Sequence, residues 1–309
     1  MATVTYNPTP ARRKSRKRLP AGFLFILPSL IHLIIFLVIP IFFALYLSFH
    51  KWDVLKPNKP FIGFANYERV AADPYFWKAM YNSARYAFFS VPLGMAAALA
   101  VAILVNQKLR GVQFFRTIYY LPAISSGAAI SMVWMWVYWP ERGLMSWGLN
   151  ALRIPGGGQV DWLNDPNWAM PALILMSIWT ALGPRMILYL AGLQGIPVSL
   201  YEAAEVDGAS RLDAFKHITL PLLMPTTLFV LVTSSIGAFQ VFTPVYMMTK
   251  GGPLRSTDVV GYHIYTEAWR QFRMGRASAQ SYVLFLVILA VTIIQFKLVN
   301  RRMEDYGGG

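Results

Sequence analysis

Acidic and basic side chains are mixed in a short polar segment between two apolar stretches, running from Ile196 to Pro221. It carries Glu202, Glu205, Asp207 and Asp213 against Arg211, Lys216 and His217. Covalent chemistry is poorly provided for elsewhere. There is no cysteine, which excludes disulfides, thiolate metal sites and cysteine nucleophiles. The four histidines are scattered, and no clustered nucleophile, acid pair or metal set of the kind an active site needs is visible. No G-x-x-x-x-G-K-[ST] run exists whose backbone amides could cradle a nucleotide phosphate; Gly251 and Gly252 are followed by Pro253 and Leu254. What remains are polar side chains inside apolar runs: Ser177, Thr180 and Arg185 in one, Ser234, Ser235 and Gln240 in another. Such groups are expensive in a hydrocarbon setting and point to function.

The 196–221 segment reads as two short helices meeting at a glycine. Ser199 and Glu202 have the spacing of an S-x-x-E capping box, which would start the first helix near Leu200. Gly208 suits the left-handed residue that ends it. Ser210 with Asp213 offers a second N-cap, with helix to about Ile218, and Thr219 and Pro221 fit the start of the next long helix. The expected product is a compact, bent helical projection, stiff enough to transmit force or simply to pack between spans.

The elements that must hold these groups are membrane helices. Of the chain's residues, 56% are hydrophobic and only 14% charged, against roughly 25% charged in a soluble domain. Six runs, near 22–48, 80–105, 114–138, 169–193, 222–247 and 279–299, are apolar and long enough to cross a core of about 30 Å. Pro28, Pro40, Pro92, Pro122 and Pro184 fall in or near them, so kinked helices are expected. Trp52, Trp77, Trp136, Trp139, Trp147, Trp162 and Trp168, with Tyr75 and Phe76, suit interface belts.

The basic cluster Arg12, Arg13, Lys14, Arg16, Lys17 and Arg18 precedes an apolar stretch too long for a signal peptide. With Lys108, Arg110, Lys297 and Arg301 it places both termini and the 194–221 loop in the cytoplasm. The expected organisation is a tail at 1–21, a first span with its outer loop at 22–79, a core of five spans at 80–302 and a tail at 303–309. The net charge of +14 is assigned to lipid and topology, not to nucleic acid.

Glu202-Ala203-Ala204, Gly208 and Ile218-x-Leu220-Pro221 together reproduce the EAA motif of ABC-importer permeases. Gly63-Phe64-Ala65-Asn66-Tyr67, Asp73-Pro74-x-Phe76-Trp77, Tyr120-Leu121-Pro122-Ala123, Trp162-Leu163-x-Asp165-Pro166 and Gly251-Gly252-Pro253 with Ser256-Thr257 extend the likeness over residues 22–302. The chain resembles the carbohydrate-uptake permeases of the maltose and glycerol-3-phosphate kind. That resemblance implies an all-α membrane protein with the six-helix type I ABC-importer permease fold, in a bacterial or archaeal plasma membrane.

It further implies a second homologous permease, two copies of a cytoplasmic ATPase and an extracytoplasmic solute-binding protein as partners. ATP and Mg would belong to the ATPase, and this chain would hold no cofactor and no metal. The loop would be a coupling helix seated in the ATPase, through Glu202, Ala203, Ala204, Gly208, Ile218, Leu220 and Pro221. Glu202 has two roles open, facing a basic residue of the ATPase or closing the capping box.

Ser177, Thr180 and Ser234 fall where related permeases place sugar contacts, with Arg185 and Gln240 as further candidates for the solute path. Each hydroxyl also has the alternative of bonding a carbonyl of its own helix, and Arg185 that of reaching for the interface. Trp179 could stack on a sugar or only pack. A self-contained secondary transporter or channel is the rival reading. It predicts an intramembrane acid or inverted repeats, and the spans carry no Asp or Glu well inside the bilayer.

Overall fold

The computed structural model describes residues 21–107, 111–154 and 157–307. The basic cluster at Arg12–Arg18, together with Lys108 and Arg110, lies outside them. The chain divides into two units, one ending at Tyr46 and one beginning at Leu47.

The first unit is helical. α1 (Ala21–Leu33) passes through a π-helical turn, Ile34–Val38, into α2 (Ile39–Ser48). The wide turn has a local cause. Pro40 has no N–H for the carbonyl four residues back, and the Ile39 N–H instead reaches Ile34 O. Phe25–Ser48 is apolar enough to span a membrane. His32 sits there with its ring 4.8 Å from that of Phe36.

The second unit is built around two long helices, α4 (Pro74–Val105) and α8 (Ala169–Gln194), preceded by the short α3 (Ala65–Ala71). α4 starts earlier than the apolar pattern indicates. Asp73 caps it, its Oδ1 accepting from Tyr75 N at 2.9 Å, with Pro74 in the first turn. Small residues spaced along one face of α4, Ala79, Ser83, Ala87, Gly94, Ala98 and Ala102, are buried. They allow close packing of the kind membrane helices use. One cluster joins Phe76, Met80 and Val91 to Leu173 and Met176; a second joins Ala98, Ala102 and Val105 to Met186, Tyr189 and Leu193.

Two expected spans are broken. The 114–138 run forms α5 (Val112–Ile124) and α6 (Gly127–Val137), set at 104° to each other. Pro122 lies in the last turn of the first, and Ser125 and Ser126 take extended backbone before the second begins. The 222–247 run forms α12 (Met224–Phe239), which stops at Gln240, ahead of Pro244. Between α6 and α12 lie α7 (Leu144–Ala151), α8, and the helices α9 (Val198–Val206), α10 (Arg211–Ala214) and α11 (Leu220–Leu222). α13 (Val260–Tyr265) and α14 (Met274–Gly307) complete the chain. Among the described residues, four helices are continuous and apolar enough to cross a membrane, and the count reaches six when α5 with α6, and Arg211–Leu222 with α12, are each taken as one bent span.

At the end of the unit opposite α9, the loops are tightly tied. Asn66 Nδ2 donates to Ser48 O and His50 O at 2.8 and 2.9 Å. Asn82 Nδ2 donates to Arg255 O and Asp258 O, and Ser83 Oγ accepts from Val260 N. Asp73 pairs with Arg276, and buried His263 and Glu267 stand beside them. Two residues expected in an interface belt are interior. Phe76 is fully buried, and Trp162 stacks on Tyr138 with ring centroids 5.7 Å apart.

Candidate coupling projection and central cavity

The 198–222 segment is the bent projection the sequence implies, with one correction at its start. α9 begins at Val198 behind Pro197, and no side chain caps it. Ser199 is already in the first turn, two positions past the N-cap Pro197, so its hydroxyl cannot serve as cap. The Glu202 carboxylate is exposed and makes no hydrogen bond or ion pair among the described residues.

α9 ends at Gly208 with φ +77°. The Ala209 N–H reaches Ala204 O at 2.9 Å and the Gly208 N–H reaches Glu205 O at 3.1 Å, a complete Schellman closure. A Cβ added at Gly208 would meet nothing within 4 Å, so only the left-handed backbone requires glycine there within this chain. Ser210 then caps α10 in a full capping box with Asp213. The Ser210 hydroxyl and amide hold the Asp213 carboxyl below its ordinary range.

The two arms of the projection are fastened to each other and to the core. Tyr201 Oη and Thr219 Oγ1 lie 2.9 Å apart, and Thr219 is buried. Tyr201 and Ile218 pack on the cluster of Tyr189, Leu193 and fully buried Leu223. The turn from α10 into α11 is again π-helical, Phe215–Thr219, and again precedes a proline, Pro221. Arg211–Leu222 meets α12 at 64°. Ala203, Gly208 and Leu220 are exposed while Ala204 and Pro221 are half-buried; Val206 and Leu212 stand out from the tip, 88% and 59% exposed.

Behind the projection, α12 forms one wall of a cavity of about 410 Å³. α4 contributes Tyr86 and Ser90, α8 contributes Ser177, Thr180 and Arg185, and α12 contributes Thr233 and Ser234. Of the five sequence-nominated path residues, Ser177, Thr180, Arg185 and Ser234 line this cavity. Gln240 does not. It ends α12 and faces a separate apolar space with Ser281, Leu284 and Ile288. Thr180 Oγ1 donates to Met176 O at 2.9 Å, and Ser177 hydrogen-bonds Tyr86. Ser235, one position on, leaves the cavity and accepts from Gln295 Nε2 at 2.8 Å. Trp179 packs edge-on against Trp134 and does not line the cavity. Tyr86, Ser90 and Gly94 were not nominated by the sequence reading; their recurrence on successive turns of α4 was the available signal.

A family model described as binding-protein-dependent transport system inner membrane component matches residues 90–305. The chain belongs to that family. The inner membrane components include relatives alike over nearly the whole chain. The probable ABC transporter permease protein YesP of Bacillus subtilis is 37% identical, covering 95% of this chain and 96% of its own length. The trehalose/maltose transport system permease protein MalF of Thermococcus litoralis is 34% identical, covering 92% and 95%. Among solved structures, a bacterial ABC transporter involved in the import of the acidic polysaccharide alginate superposes with a TM-score of 0.77 at 26% identity, covering 91% of this chain and 95% of that one. As an inner membrane component this chain is a multi-pass, all-α ABC transporter permease, and the resemblance read from its motifs holds.

Proposed function

We propose that this permease moves a sugar or sugar-like solute inward by alternating access, driven by ATP hydrolysis on partner subunits. One observation carries the reading: a rigid projection with an unpaired Glu202 runs directly into α12, which walls the polar cavity. In this scheme the projection docks in a groove of a cytoplasmic ATPase, present in two copies and holding ATP and Mg. Glu202 meets a basic residue there, Ala203, Ala204 and Gly208 permit close approach, and Ile218, Leu220 and Pro221 tie the docked arm to α12.

The cavity then opens between this chain and a second homologous permease. A solute-binding protein delivers cargo to the loops at 49–79, 139–168 and 248–278 on the extracytoplasmic side, both termini being cytoplasmic in a plasma membrane. Ser177, Thr180, Ser234 and Arg185 line the path. In this scheme the chain divides into a tail at 1–21, a first span and outer loop at 22–79, a core at 80–302 and a tail at 303–309, with the 79/80 boundary inside α4 and the 302/303 boundary inside α14. The family's dependence on a binding protein and the likeness to the trehalose/maltose permease support the cargo class.

The test is reconstitution of the four kinds of subunit in liposomes. Uptake should require ATP, the ATPase and the binding protein together. Glu202→Arg should lower ATPase co-purification and uptake about tenfold or more, as expected when a docked charge is opposed. Uptake by the permeases alone, or full activity of the reversed-charge variant, would refute the proposal.

A further inference from the structure

The central cavity contains a single formal charge, and it is positive. Every ionisable group of its lining is accounted for by Arg185 and the phenol of Tyr86; no Asp or Glu is among the lining residues. A guanidinium cannot shed its proton in a protein. Its five donors therefore need acceptors, yet Arg185 Nη1 is buried with no hydrogen-bond partner among the described residues. Ser90 Oγ, one turn before Gly94 on α4, is likewise buried and unpartnered, in a residue only 3% exposed.

Four of the other five hydroxyls are engaged, while Ser234 Oγ makes no hydrogen bond among the described residues. Tyr86 and Ser177 bond each other, Thr180 bonds Met176 O, and Thr233 bonds Phe229 O at 2.7 Å. The residues walling this space thus carry three unpartnered donors, Ser234 Oγ and the occluded Ser90 Oγ and Arg185 Nη1, one of them cationic, and no anionic acceptor.

Reaching for the membrane surface does not explain this geometry. At about 1.5 Å per residue, Arg185 lies about 14 Å from the Gln194 end of α8. Its guanidinium is directed across the helix pair, not along it toward that end. A Cβ at Gly94 would collide with Arg185 Nη1, so the missing side chain at Gly94 is the space the guanidinium occupies. Gly94 lies about 17 Å from the Val105 end of α4, at least as deep as Arg185 itself. The Tyr86–Ser177 and Gly94–Arg185 contacts advance together along both helices, which fixes α4 and α8 as parallel and the guanidinium as level with its own turn.

We propose that the solute carried through this cavity bears an anionic oxygen group, a carboxylate or a phosphate ester on a sugar or polyol, and that Arg185 is its counter-charge. The inference rests on the cavity being the solute path. A carboxylate or phosphate accepts from the guanidinium fork in the strong, charge-assisted way a neutral hydroxyl cannot. Ser90 Oγ supplies an additional donor alongside.

The complete importer, with its binding protein, partner permease and ATPase in liposomes, is assayed for ATP-driven uptake. The solutes are a neutral disaccharide, a uronic-acid disaccharide and glycerol phosphate, and the two anionic arms separate carboxylate from phosphate. The wild-type complex should move at least one anionic solute about tenfold or more faster than the neutral sugar. Arg185→Gln should abolish that preference, with Arg185→Lys in between, because lysine keeps the charge and loses the fork.

Uptake of the neutral sugar alone by the wild type overturns the inference and leaves ATP-driven sugar import standing; this arm needs no variant to fold. Equal loss of neutral and anionic uptake in Arg185→Gln also overturns it, because Arg185 then serves every solute alike and is not a counter-charge to the cargo. Absence of ATP-driven uptake for every solute overturns the transport reading and this inference together.

Discussion

Gly208 separates a backbone requirement from a docking requirement, because the two respond differently to side-chain shape. Its φ of +77° closes α9 through two Schellman hydrogen bonds. An alanine there carries a left-handed penalty of about 1–2 kcal/mol, which reduces the closed form by about five- to thirtyfold relative to competing loop states. A Cβ at this position would have no atom within 4 Å, so the chain itself imposes no limit on size. Asparagine tolerates the left-handed region but is larger.

If only the backbone mattered, Gly208→Asn would retain more function than Gly208→Ala. If the glycine faces a closely apposed ATPase, the order inverts and Gly208→Leu is worst. The measurement is ATPase co-purification and ATP-driven uptake for the three variants, beside thermal stability in detergent. We expect similar stabilities for Ala and Leu, both within about 2 kcal/mol of wild type, and uptake falling in the order Ala, Asn, Leu. Wild-type uptake by Gly208→Leu with normal assembly would refute the docking role, and Asn outperforming Ala would reduce the glycine to a turn residue.

Two further substitutions probe the scaffold. A Cβ at Gly183 would fall 2.7 Å from Tyr120 Cα and closer still to Tyr119 O, so Gly183→Ala should force α5 from α8 and cost about 1–3 kcal/mol; an unchanged melting temperature in detergent would contradict that close approach. Asp73 both caps α4 and pairs with Arg276 while nearly buried. Asp73→Asn should lose about 1–3 kcal/mol, because Arg276 keeps Glu267 as an acidic neighbour at 3.7 Å, and Asp73→Ala about 1 kcal/mol more for the cap. Equal melting temperatures for the two variants would remove the cap from that account.

The sequence spoke clearly where local chemistry sets the backbone. Gly208 and the Ser210–Asp213 box lie where their residue types require, because a left-handed residue and an N-cap are decided within a few positions. Ser199 misled for a reason of the same scale: Pro197 already fixes an extended backbone and begins the helix ahead of it. The breaks near Ser125 and Gln240 were illegible because hydropathy averages over a run and is blind to a turn of a few residues inside it. Gln240 was nominated by polarity alone, whereas which face of α12 it occupies depends on packing against α14. The pairing of Asp73 with Arg276 joins segments far apart in sequence, so neither residue announces the other.

The hydrogen bond between Tyr201 and Thr219 makes the projection and the root of α12 a single bent piece, with fully buried Leu223 at the corner. A bent piece held at its corner behaves as a bell crank. Ser234 lies about 16 Å along one arm from that corner, so a tilt of about ten degrees at the tip would displace it by roughly 3 Å. That is about the width of a hydroxyl contact, enough to exchange one set of cargo partners for another without unfolding a single turn.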